Sequence, residues 1–182
     1  GNWKDDKISM IKRMVGNFKS DLTNYKPWVE ETLAFLGNLQ IIQIIARGPA
    51  FSTASQSALM FKEAIQIPAS GILGGEFRHG PMEMVKEGFK AILFAAKGKT
   101  LAQSLKMAED ITEFGGKVLL ITNEKIQFSN ERIMQIYIDE PDEYLFSIQS
   151  IIPVQLIVDS YAKSKGFEAG SFSRGAKVTV VE

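Results

Sequence analysis

Three short aliphatic runs set the frame for what this chain can fold into: Leu-Gln-Ile-Ile-Gln-Ile-Ile-Ala at 39–46, Lys-Ala-Ile-Leu-Phe-Ala-Ala at 90–96 and Val-Leu-Leu-Ile-Thr at 118–122. Near-continuous apolarity over so few residues marks strands covered on both faces, the habit of parallel sheets. Helical patterns separate the runs, and strand–helix alternation with right-handed crossovers yields a parallel sheet between two helical layers. Met134, Ile136 and Ile138 alternate with Gln135 and Tyr137, as on a half-buried edge. The broken stretch Ile67–Leu73 predicts a brief edge strand, with one or two helical turns following it through Val85. The expected class is α/β, a three-layer α/β/α sandwich on a five-stranded, mainly parallel sheet.

The intervening helices are legible too. Ile8, Ile11, Val15, Phe18 and Leu22 recur at helical spacing over 4–22, and a second helix starts at Pro27 and runs through Trp28, Val29, Leu33 and Leu36 to Gly37. Residues 1–38 thus read as a helical arm ahead of a domain at 39–182. The sheet, a domain outside this chain or a second subunit must cover it. The helix expected over 51–67 carries Ser52, Thr53 and Ser55 in its first turn, whose hydroxyls either cap it or, with its free N–H groups, hold a phosphate. Thr100 and Gln103 form a capping-box pair before a helix stopped by Gly115-Gly116. The stretch from Glu143 to Gly166 is apolar on nearly all sides, and at Pro153 it either kinks or gives way to a second helix.

Composition narrows the function. With 182 residues, 45% of them apolar and 23% charged, the chain suits one sizeable domain. Lys plus Arg and Asp plus Glu both number 21, so net charge gives no reason to expect nucleic acid or an anionic membrane as partner. No uninterrupted apolar run reaches the roughly 18 residues of a membrane span. Absence of cysteine excludes disulfides and a thiolate site and is compatible with a reducing compartment, the cytoplasm by default. One histidine and no cysteine argue against a metal centre, and no cofactor is expected. No Gly-x-Gly-x-x-Gly or P-loop follows any predicted strand. Gly1 in place of an initiator methionine suggests a piece of a longer protein.

Chemistry concentrates between Phe61 and Val85. Glu63 closes a helix, and Gly75-Glu76-Phe77-Arg78-His79-Gly80-Pro81 sets a glutamate, an arginine and the sole histidine beside helix-breaking residues, the groups acid/base work needs. Ligands of such sheets sit beyond the carboxyl ends of the strands, where the strand order reverses, so Arg47 and Gly48, with Ser52 behind them, are a candidate rim.

Lys62-Glu63, the 75–81 motif and the tail Arg174-Gly-Ala-Lys177-Val-Thr-Val-Val-Glu182 together resemble the second sugar isomerase (SIS) domain of the glucosamine-6-phosphate synthase group, from about Gln40 to Glu182. The resemblance implies a flavodoxin-like SIS fold and proton transfer between C1 and C2 of a hexose 6-phosphate or its amino derivative. Glu63 would shuttle the proton, His79 from a neighbouring subunit would open the ring, and Lys177 would approach the sugar from a closing tail. It further implies a sugar phosphate ligand, a homodimer, and a first SIS domain outside this chain that carries the phosphate-gripping loop, so that this piece alone is inactive. Without the resemblance, Glu63 reads as a solvated surface glutamate, His79 as a loop histidine and Lys177 as an exposed lysine on a frayed end. Glu76 and Arg78 are either an ion pair shaping the loop or substrate contacts.

The sequence departs from the synthases where they carry a lysine and, one turn earlier, a glutamate: it has Met60 and Gln56. Met60 and Glu83 are closer to the fructosamine deglycases of the superfamily. A non-catalytic sugar-phosphate-binding regulatory module is the alternative on the same fold.

Overall fold

The structure, a computed structural model, describes residues 3–23 and 25–171. Five strands form one all-parallel sheet in the order β2-β1-β3-β4-β5: β1 (Ile42–Ala46), β2 (Ala69–Leu73), β3 (Lys90–Ala95), β4 (Lys117–Thr122) and β5 (Ile133–Tyr137). The order reverses at β1, which has β2 on one side and β3 on the other.

Alternation along each central strand builds two cores. Ile42, Ile44, Ile92, Phe94, Leu119 and Ile121 face one layer, made by α2 (Lys26–Leu36), α3 (Phe51–Met60) and α7 (Ile151–Ser164). Ile45, Ala91, Leu93, Val118 and Leu120 face the other, where Phe77 of α4 (Gly74–Arg78) meets Met107, Ala108 and Ile111 of α5 (Leu101–Glu113). Period-two side chains reaching a covered layer on each face explain why these strands read as unbroken apolar runs. β5 is the expected half-buried edge, with only Ile133 buried among its five residues.

Boundaries differ from the sequence reading in three places. The helix expected over 51–67 is α-helical only to Met60, widens into a π-turn over Phe61–Ile65, and stops at Gln66 in the left-handed region at φ 60°. Neither expected side-chain cap forms. Thr100 lies at ψ 2°, outside the extended conformation that aims a capping oxygen, and Ser52 Oγ instead donates to the Pro49 carbonyl at 2.9 Å. Between α6 (Glu143–Gln149) and α7 the break falls at Ser150, leaving Pro153 in the first turn of α7, where its missing N–H has no intrahelical role. The 22-residue stretch Glu143–Ser164 is long and apolar enough by composition to cross a membrane, yet Phe146, Val154, Ile157 and Val158 are buried in the sheet's core.

α1 (Trp3–Thr23) lies on the corner between β5 and α6 rather than across the sheet. Arg13 makes a bidentate pair with Glu140 at 2.8 and 3.0 Å, Lys7 reaches Asp142 at 3.3 Å, and Asn17 Nδ2 donates to the Asp139 carbonyl. Met14 is buried, whereas Ile8, Ile11, Val15 and Leu22 stay exposed.

Candidate functional site

The π-turn after α3 decides where Glu63 points. Phe61 and Ile65, 0% and 1% exposed, anchor the turn in the core, each worth about 1.5–3 kcal/mol of burial, while Lys62 and Glu63 are turned out to solvent. π-Turns of this kind occur disproportionately at functional sites. Glu63 opens onto a cavity of about 270 Å³ whose walls are Met60 and Ala64 on its own helix, Gln155, Val158 and Asp159 on α7, and the segment Ala169–Ser171. Asp159 Oδ2 accepts from Lys163 Nζ at 2.6 Å, which holds the ammonium above its ordinary pKa.

Sequence reasoning missed Gln155 and Asp159. A signal existed for the second: apart from Glu143, Asp159 is the one acidic residue in the apolar stretch 143–164. Met60 faces the same cavity as Glu63 and also packs on the core, so the substitution that sets this chain apart stands beside the candidate base.

The remaining candidates lie elsewhere. The Arg47 side chain lies across the start of α4, so close that a Cβ on Gly74 would come within 2.8 Å of Arg47 Nε and would have to displace it. Gly48 follows at φ 60°. Glu76 and Arg78 do not pair. Two positions apart on a helical turn they point to different sides, and Arg78 Nη1 instead meets Asp110 Oδ2 of α5 at 2.7 Å. Lys106 Nζ holds the other oxygen at 2.9 Å. Burial pushes the Asp110 carboxyl up, but the hydrogen bonds and charges of Lys106 and Arg78 outweigh it and hold the group below the usual carboxylate range. Glu76 is exposed.

His79 ends α4, its backbone N–H bonded to the Glu76 carbonyl at 3.1 Å and its side chain exposed, without a hydrogen-bond partner among the described residues. Glu83 is exposed in the following turn. Lys177 and the rest of the tail motif lie outside the described residues.

Topology separates these groups. α3 starts at the carboxyl end of β1 and runs back, so Glu63 sits near the amino ends of the strands, on the layer with α7. α4 starts at the carboxyl end of β2 and packs through Phe77 on the other face of the sheet, where Arg78 reaches Asp110 in the last turn of α5, so His79 lies on the α5 side. Within one chain Glu63 and His79 do not share a site.

Comparison with known proteins accords with this architecture. The SIS domain family matches residues 38–161. The glutamine–fructose-6-phosphate aminotransferase (isomerizing) of Rhizobium meliloti is 27% identical over 177 residues, 96% of this chain but 29% of the relative. The chain therefore spans less than a third of that relative. Among solved structures, a Clostridium difficile protein proposed to be a phosphosugar isomerase superposes with a TM-score of 0.80 at 21% identity, covering 95% of this chain and 48% of the other. The C-terminal domain of glucosamine-fructose-6-phosphate aminotransferase from Francisella tularensis superposes at 0.71 and 20% identity, over 92% and 46% of the two chains. Structural likeness at that identity speaks for the fold, and the family match over 38–161 speaks for descent: the chain belongs to the SIS domain family.

Proposed function

We propose that this domain supplies the general base of a sugar-phosphate isomerase or fructosamine-6-phosphate deglycase, Glu63, which moves a proton between C1 and C2 of a hexose 6-phosphate or amino derivative through an enediol or enolamine. The observation that carries the reading is the cavity at Glu63. It holds a carboxylate on a rigid turn, a largely apolar wall, and Ser171, from which Lys177 is six residues away, a span of up to about 20 Å. A base anchored on Phe61 and Ile65 keeps its reach to two adjacent carbons, which a freely rotating surface glutamate would not.

The complete protein on this reading is longer and dimeric. A further SIS domain grips the phosphate, and His79 of the partner subunit opens the ring over Glu63. The placement of the two residues on opposite faces of the sheet within one chain supports the two-subunit arrangement.

Replacing Glu63 with Gln in the full-length protein removes the base and keeps the shape, so hydrogen exchange at the first two carbons of the sugar is expected to slow by about 10²–10⁴-fold. Deuterium incorporation followed by NMR measures it. An unchanged rate returns Glu63 to the solvated surface and favours a sensor without catalysis.

A further inference from the structure

The place where an open α/β sheet ordinarily takes its ligand is the crevice beyond the carboxyl ends of the strands at the reversal of strand order. Here that crevice lies between the loop after β1, Arg47-Gly48-Pro49, and the loop after β3, Lys97-Gly98-Lys99. Both loops carry cations, and both centre on a glycine at positive φ, 60° at Gly48 and 146° at Gly98. Such loops suit an anion.

The space is taken. Glu143, first residue of α6, lays its carboxylate across both loops: Oε1 is 3.1 Å from where a Cβ of Gly48 would stand, and Oε2 is 3.7 Å from the equivalent point at Gly98. This carboxylate is half-buried and has neither a hydrogen bond nor an ion pair among the described residues. It is not there by looseness of its helix. Asp142 caps α6 by accepting from the N–H groups of Tyr144 and Leu145 at 3.0 Å each, and the Thr53 hydroxyl donates to the Ser147 carbonyl. Two hydroxyls at the start of α3 are already engaged, Ser52 donating to the Pro49 carbonyl and Thr53 to that of Ser147. Of the basic groups, Lys97 is paired with Glu124 at 3.0 Å.

We propose that Glu143 is a built-in plug: its carboxylate closes this domain's own crevice to anions, and a phosphate site at Gly48 and Gly98 opens only when that charge is removed. A negative group at contact distance repels a phosphate and fills the volume its oxygens need. This residue thereby determines which anions the domain refuses. The inference stands apart from the role of Glu63, which lies at the other end of the sheet, and it requires that any sugar phosphate worked on there be anchored outside this crevice.

Titration of the ¹⁵N-labelled 182-residue chain with inorganic phosphate, followed at the Gly48 and Gly98 amides, tests it. Wild type is expected to show no saturable shift at either glycine. Glu143→Gln, with the shape kept, and Glu143→Ala, which excludes a bond donated by the new amide, are each expected to show one, with affinity at least about tenfold above wild type. Glu131→Gln removes the same charge from an exposed position and is expected to gain nothing. The amide spectra report folding in the same experiment. Saturable binding by wild type at these glycines, no gain in either Glu143 variant, or an equal gain in Glu131→Gln overturns the proposal.

Discussion

Met60 and Glu63 form one wall of one cavity, three positions apart on a helix that is just widening. A lysine ammonium at position 60 would donate a proton to, or hold one near, a substrate oxygen; a thioether is neutral and only a weak acceptor. On the deglycase form of the proposed reading, the full-length protein is therefore expected not to make glucosamine 6-phosphate from fructose 6-phosphate and ammonia, and to release free amino acid from fructosamine 6-phosphates. A product assay across both substrate sets checks this. Net synthesis with Met60 in place would show that no cation is needed there. At the same scale, Arg78 is accounted for by Asp110 and Lys106, which leaves Glu76 and His79 as the polar groups of the 75–81 motif free to meet something beyond this chain.

Among the elements, α1 is held to its own domain by charge more than by apolar contact. Glu140 has a side chain 0% exposed and accepts two bonds from Arg13 and one from the Asp142 N–H, whereas Arg13 is 46% exposed. A buried carboxylate stripped of its partner is costly. Arg13→Ala is expected to lower unfolding free energy by about 3 kcal/mol, the low end of the range because water reaches Arg13. Adding Glu140→Gln should recover part of the loss, since a neutral amide is cheaper to leave unpaired. Urea unfolding of the 182-residue chain measures both. A loss below about 0.5 kcal/mol, the usual surface level, would mean that the arm is held mainly by Met14 and its apolar neighbours.

For the whole molecule, the separation of Glu63 and His79 has a consequence that mixing can expose. If each site joins Glu63 of one subunit to His79 of the other, full-length Glu63→Gln and His79→Ala proteins are each inactive. A mixed dimer, however, contains one intact site. Random reassortment makes half the dimers mixed, so equimolar mixing after subunit exchange is expected to restore roughly a quarter of wild-type isomerisation or deglycation. No recovery, with exchange verified by mass spectrometry, would place both residues in the service of one chain or assign His79 to the surface. The exposed Ile8, Ile11 and Val15, and the apolar groove among Phe18, Leu22, Ile148, Ile151, Ile152 and Leu156, are the surfaces on which such a dimer has most to gain.

What the sequence determined by itself is whatever depends on neighbours within a few positions. The aliphatic runs at 39–46, 90–96 and 118–122 read as strands covered on both sides, the alternation after Met134 as an edge, and Gly115 and Gly116 as a stop, because period and backbone freedom are local properties. The Glu63 and His79 motifs were visible for the same reason. Tertiary structure decided the pairs that close over long stretches of chain: Arg13 with Glu140 across 127 positions, Thr53 with Ser147 across 94, Glu143 against Gly48 and Gly98, Arg78 with Asp110 rather than Glu76, and Asp159 in the wall facing Glu63. No spacing rule encodes which of the chain's 21 acidic residues a turn of sheet and helix will bring to a given crevice. That depends on the strand order, which sets β1 between β2 and β3 and so makes a crevice at all.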